Sequence, residues 1–154
     1  MEQAILNTMT LVIPAKSENE SFARAVVAAF CSSLNPTIDE ISDLKTAVSE
    51  AVTNCVVHAY QKRQQNTDTI TLDCTLYADA VEIKIADHGV GIVDINQAMQ
   101  PFYTTVNDGE RSGMGFTVMQ SFMDEISVNN HDGGGIVVTM KKYFTKEARK
   151  VSGE

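Results

Sequence analysis

The stretch TITLDCTLYADAVEIKIAD, residues 69–87, constrains the fold most tightly. Ile70, Leu72, Cys74 and Leu76 alternate with polar residues, and Val81, Ile83 and Ile85 repeat the alternation. A period of two places each set on one face of a strand. Only ADA separates the runs, so the two strands are expected to pair antiparallel as a hairpin. EISVNN and GIVVTMKKYF, joined across HDGGG, predict a second hairpin near the C-terminus. NTMTLVIPA adds a first strand, with Met9, Leu11 and Ile13 on one face and Pro14 at its end.

Helical spacing fills the intervals. In SENESFARAVVAAFCSSLNP, Ser17 and Glu20 have the spacing of a capping box, which satisfies two orphan amides at a helix start. Phe22, Val26, Ala29 and Phe30 are its expected apolar stripe, and Asn35-Pro36 stops it. Thr37 and Glu40 in TIDE form a second capping box. It opens a helix whose apolar face carries Ile41, Leu44, Val48, Ala51, Val52 and Cys55 and which is expected to run to about Tyr60. A last helix is predicted over GFTVMQSFM, with Phe116, Met119, Phe122 and Met123 facing inward. The order β-α-α-β-β-loop-α-β-β implies an α+β, two-layer sandwich: a mixed, mostly antiparallel sheet covered on one face by helices. The connection from His88 to Gly115 is long and rich in glycine and polar residues, the kind of loop that carries function. The tail TKEARKVSGE, residues 145–154, is expected to fray.

Bulk properties narrow the function. The chain has 154 residues, the size of a single domain; such a chain buries roughly 70% of its unfolded surface and needs no disulfide staples. A formal net charge of -8 repels phosphate backbones and argues against direct nucleic-acid binding, while leaving room for a basic protein partner. No apolar run is long enough to span a membrane and no secretory pattern opens the chain, so a cytoplasmic protein is expected. Cys31, Cys55 and Cys74 are odd in number and widely spaced. Each falls in an apolar pattern, which suits buried free thiols in a reducing compartment.

Three constellations hold candidate chemistry. SEAVTNCVVHAY, residues 49–60, sets Glu50, Asn54 and His58 four residues apart, away from the apolar seam. Alone it reads first as a wetted helix face, and otherwise as a site handling a metal and a proton. In IADHGVGI, Asp87 ends a strand before Gly89 and Gly91; either a hairpin exit or a carboxylate meeting a ligand's amino group fits. A Rossmann fingerprint needs a glycine where Asp94 stands. In ERSGMGF, Gly113 and Gly115 precede a helix, whose free amides favour an anion, with Arg111 as a charge partner. There is no Walker A sequence.

Together, and in this order, the three resemble the N box and the two glycine boxes of the GHKL ATPase superfamily, which includes gyrase B and the sensor histidine kinases. QPFYTTVNDGE then corresponds to the ATP lid. NESFAR, SEAVTN, HAY and ERSGMGF extend the resemblance over most of the chain, toward the anti-sigma kinases of sporulating bacteria.

The resemblance implies a GHKL (Bergerat) fold and a homodimer; the first strand and first helix are expected to form its interface. Its ligands would be ATP or ADP with Mg²⁺. Its activity would be phosphorylation of a serine on an anti-anti-sigma factor, coupled to sequestration of a sigma factor of the sigma F kind. A general-stress switch kinase for another sigma factor, or a nucleotide-gated sigma-binding module without chemistry, are the alternatives. By the same resemblance Asn54 would ligate Mg²⁺, Glu50 would be the general base, and Asp87 would accept from the adenine amine. Gly89 and Gly91 would line the base pocket. Thr104, Thr105, Ser112, Gly113 and Gly115 would hold the phosphates. Arg111 would stabilise the transferred group, and Arg24 would meet both protein partners. His58 and His88 receive no role, and His131 lies too far along the chain to form a metal cluster with them.

Overall fold

A computed structural model describes residues 3–61, 63, 65–89, 115–130 and 134–145. The elements are β1 (Ile5–Pro14), α1 (Asn19–Cys31), a 3₁₀ turn (Ser32–Leu34) and α2 (Ile38–Asn54). A π-helical turn (Cys55–Ala59), β2 (Thr69–Tyr77), β3 (Ala80–Ala86), α3 (Gly115–Phe122), β4 (Glu125–Asn130) and β5 (Ile136–Tyr143) follow. The order is the one read from the sequence. Residues 90–114 of the connection between β3 and α3, and the tail beyond Thr145, lie outside the described residues.

The strands form one sheet in the order β1-β2-β3-β5-β4. All four pairings are antiparallel. Both expected hairpins are present, with Cys74 opposite Ile83 in one and Val128 opposite Val138 in the other. Two pairings are non-local, β1 against β2 and β3 against β5; the second sets Ala86 opposite Val137 and brings the end of β3 to the start of β5. Ile70, Leu72, Cys74, Leu76, Val81, Ile83 and Ile85 are buried as the alternation requires, in one core with Leu44, Val48, Val52, Met119 and Met140.

Capping chemistry fixes α2. Thr37 accepts from the Glu40 amide through Oγ1 and Glu40 accepts from the Thr37 amide through Oε1, closing the expected box. The second oxygen of Glu40 accepts from the Thr145 amide at 2.8 Å, which pins the end of the β5 strand to the helix start.

At α1 two expectations are corrected. The residue before the helix is Glu18, with no side-chain cap, so the helix begins one position later than the Ser17 start expected. The Glu20 carboxylate meets Thr53 and Arg24. The inward stripe is Ala23, Val27 and Cys31 rather than Phe22, Val26, Ala29 and Phe30. Phe30 packs at the core margin, while Phe22 is half exposed. Small side chains on the inner face let α1 seat closely, and the bulky ones are turned outward.

The second helix also differs from its expected course. Its α-helical part ends at Asn54, and the next turn is π-helical, closed by the Tyr60 amide on the Cys55 carbonyl at 3.0 Å.

Candidate functional site

The site is assembled where the π turn after α2 meets the end of β3 and the start of β5. Asp87 follows β3, and its amide donates to the Ile136 carbonyl at 3.0 Å, extending the ladder by one residue. Its side chain is fully buried. Oδ1 accepts from the Gly89 amide at 2.9 Å and from the Ile136 amide at 3.3 Å. Oδ2 faces the Cys55 thiol, with Sγ at 3.7 Å. Burial raises the Asp87 carboxyl above its ordinary value, while the two amides, the thiol and the nearby His88 draw it back. Burial drives the Cys55 thiol well above its ordinary value, and the Asp87 charge adds to this, so Cys55 is a donor and not a thiolate.

Two glycines permit this approach. A side chain at Gly89 would run into the Ala59 carbonyl, and one at Gly135, where φ is +87°, would strike the Asp87 backbone and carboxylate. Gly89 thus lets the strand end lie against the π turn. Tyr60 completes the junction: its hydroxyl donates to the Thr69 carbonyl and accepts from the His88 amide, each at 2.7 Å.

Glu50 and Asn54 lie one turn apart on α2, both half-buried. Their preceding neighbours are held by α1. Arg24 donates to Ser49 Oγ at 3.3 Å and pairs with Glu20 at 3.7 Å; Thr53 donates to Glu20 at 3.0 Å. Arg24 therefore spends part of its guanidinium on the helix that carries Glu50, while its side chain keeps 43% exposure.

The structure thus brings Asp87 and Gly89 against the turn that follows Asn54, and places Arg24 beside Ser49. Gly115 is the first residue of α3. Gly91, Thr104, Thr105, Arg111, Ser112 and Gly113 lie outside the described residues. Among the described residues no group of three or more His, Cys, Asp and Glu is gathered around a metal position. Cys55, Tyr60, Gly135 and the Ile136 amide belong to the site but were not singled out for it in the sequence. The adjacency of Cys55 to Asn54 and the glycine run before Ile136 were the available signals.

The sequence matches the histidine kinase-like ATPase domain family over residues 13–142. It is 53% identical to the anti-sigma F factor of Caldanaerobacter subterraneus subsp. tengcongensis, over 90% of this chain and 94% of that one. It is 51% identical to the anti-sigma F factor of Clostridium beijerinckii, over 90% and 95%. Among solved structures, the fold is similar to the RsbU and RsbW domains of a Mycobacterium tuberculosis protein, with TM-score 0.63, 18% identity, and coverage of 90% of this chain and 32% of that one. It is also similar to the catalytic domain of the histidine kinase ThkA, with TM-score 0.57, 14% identity, and coverage of 93% and 99%. By its sequence match and its antiparallel sheet backed by three helices, the chain belongs to the histidine kinase-like ATPases and, within them, to the anti-sigma F factor family.

Proposed function

We propose that this chain is a single-domain, ATP-dependent protein-serine kinase, residues 1–154, that phosphorylates an anti-anti-sigma factor and also holds a sigma factor of the sigma F kind in check. The observation that carries the reading is the attachment of Asp87 to the turn directly after Asn54. A base-reading carboxylate and the N-box residues then belong to one rigid junction, as a nucleotide kinase of this family requires. The anti-sigma F factors at 51–53% identity support the protein partners.

In this reading Asp87 accepts a hydrogen bond from the adenine amine. Asp87 is fully buried, which strengthens a hydrogen bond to its carboxylate. Asn54 offers a neutral oxygen to Mg²⁺, which favours oxygen donors and keeps most of its shell from water and phosphate. One amide at the end of α2 suits that demand, and bound Mg²⁺ would neutralise charge on the transferring phosphoryl group. Glu50, one turn earlier, takes the proton from the acceptor serine as its hydroxyl oxygen bonds to the γ-phosphorus. The bond to the β-phosphate oxygen breaks, and ADP leaves. Arg111 stabilises the transferred charge, and Thr104, Thr105, Ser112, Gly113 and Gly115 hold the phosphates with Gly91 beside the base.

Arg24, half exposed on α1, is the contact for both protein partners. Two copies associate through β1 and α1; β1 is an edge strand of the sheet, with Ile5, Leu6 and Val12 exposed on it and Phe22 exposed on α1. The reaction takes place in the cytoplasm.

The test is incubation with ATP, Mg²⁺ and the anti-anti-sigma protein, with mass spectrometry of the acceptor. Phosphoserine is expected; nucleotide binding without any transferred phosphate would leave only a gated binding module.

A further inference from the structure

Asp87 is held asymmetrically. Oδ1 takes two backbone amides, from Gly89 and Ile136, and so fixes one side of the carboxylate. Oδ2 meets the thiol of Cys55, a weak and long-reaching donor, at 3.7 Å. A carboxylate oxygen has two acceptor positions, so one lone pair of Oδ2 remains for a further donor. Among the described residues, the charged and titratable groups around it are Cys55 from the π turn, Tyr60 just after it and His88 after the strand end.

We propose that Cys55 is a positioning residue for nucleotide selection, its thiol holding Asp87 Oδ2 at the angle from which it accepts a hydrogen bond from the 6-amino group of a purine. The proposal rests on the assignment of Asp87 to the adenine amine. A thiol suits the task because it steadies the oxygen without saturating it. A methyl group in its place leaves Oδ2 free to turn. A hydroxyl restores a donor of similar direction on a shorter reach.

Calorimetry on the full chain with Mg²⁺ separates the possibilities, using ATP and purine riboside triphosphate, which lacks only the 6-amino group. The wild type is expected to favour ATP. Cys55→Ala is expected to lower ATP affinity about fivefold, the cost of one weak bond to a charged acceptor, and to leave purine riboside triphosphate binding unchanged. Cys55→Ser is expected to restore the preference. Cys55→Val, which fills the space without a donor, is run in parallel and should behave as the alanine variant; thermal melting verifies that each variant is folded. Equal weakening of both triphosphates, or an unaltered preference in the alanine and valine variants, overturns the role of Cys55 while Asp87 keeps its own. A wild type that binds both triphosphates equally removes the Asp87 assignment, and the Cys55 proposal with it.

Discussion

Thr53 Oγ1 donates to Glu20 Oε2 at 3.0 Å, so the residue before Asn54 is fastened to α1. The same carboxylate pairs with Arg24, which reaches Ser49, the residue before Glu50. One acidic side chain on α1 thus braces the helix that carries Glu50 and Asn54. Thr53→Val keeps the shape and removes the donor. It is expected to lower stability by about 1 kcal/mol, a typical value for one part-buried hydrogen bond, read from the urea midpoint at unchanged slope.

Gly135 supports Asp87 from the opposite side. Gly135→Ala forces a Cβ into the Asp87 carbonyl at a backbone angle that disfavours side chains. Overpacking and strain together predict a loss of about 3 kcal/mol or more, visible as a large drop in melting temperature. Gly134→Ala also sits at positive φ, but the nearest atom to its Cβ lies 3.8 Å away, so the loss there is expected to be smaller.

The buried charge of Asp87 gives a pH dependence with a definite sign. Burial raises the carboxyl in the folded chain above its ordinary value of 3.8, so between those two values the folded state binds more protons than the unfolded one. The contribution of this group is fully favourable below 3.8 and is lost as the pH rises through the folded value. Asp87→Asn keeps an acceptor for the two amides and removes the charge. Its stability relative to wild type is expected to grow across that window and then level off, measured by denaturation at a series of pH values. If Asp87 reads the adenine amine as proposed, nucleotide affinity is expected to fall in the same variant, because an amide nitrogen facing the base donates where an acceptor is needed.

The three thiols are buried, and burial pushes Cys31 and Cys74 up to about 12 and Cys55 well above its ordinary range. Thiolate is the reactive form. An aromatic disulfide reagent at pH 8 is therefore expected to label none of them quickly in the native chain and all three after unfolding.

Sequence patterns exposed the sheet most clearly, because alternation in β2 and β3 coincides with complete burial of one face. They served less well on α1. There the size of Phe22 and Phe30 suggested the inner face, whereas close seating selects Ala23, Val27 and Cys31. The π turn at Cys55–Ala59 was hidden, since a change of helical period alters no residue type. At the site, Asp87 announced itself as a strand-end carboxylate before glycines. Its partners did not: the Ile136 amide reaches it only because β5 lies beside β3, a pairing between residues about fifty positions apart. Cys55 looked like any core thiol until that pairing set Asp87 against it.

The central claim is that α2 presents a proton acceptor and a cation ligand to bound ATP. The most direct measurement is single-turnover transfer of labelled γ-phosphate to the anti-anti-sigma serine, compared between wild type and Glu50→Ala, with ATP binding followed by calorimetry. Loss of roughly 10²–10⁴-fold in transfer rate with ATP affinity retained is the expected result, matching removal of a general base. Transfer by Glu50→Ala at the wild-type rate would contradict it.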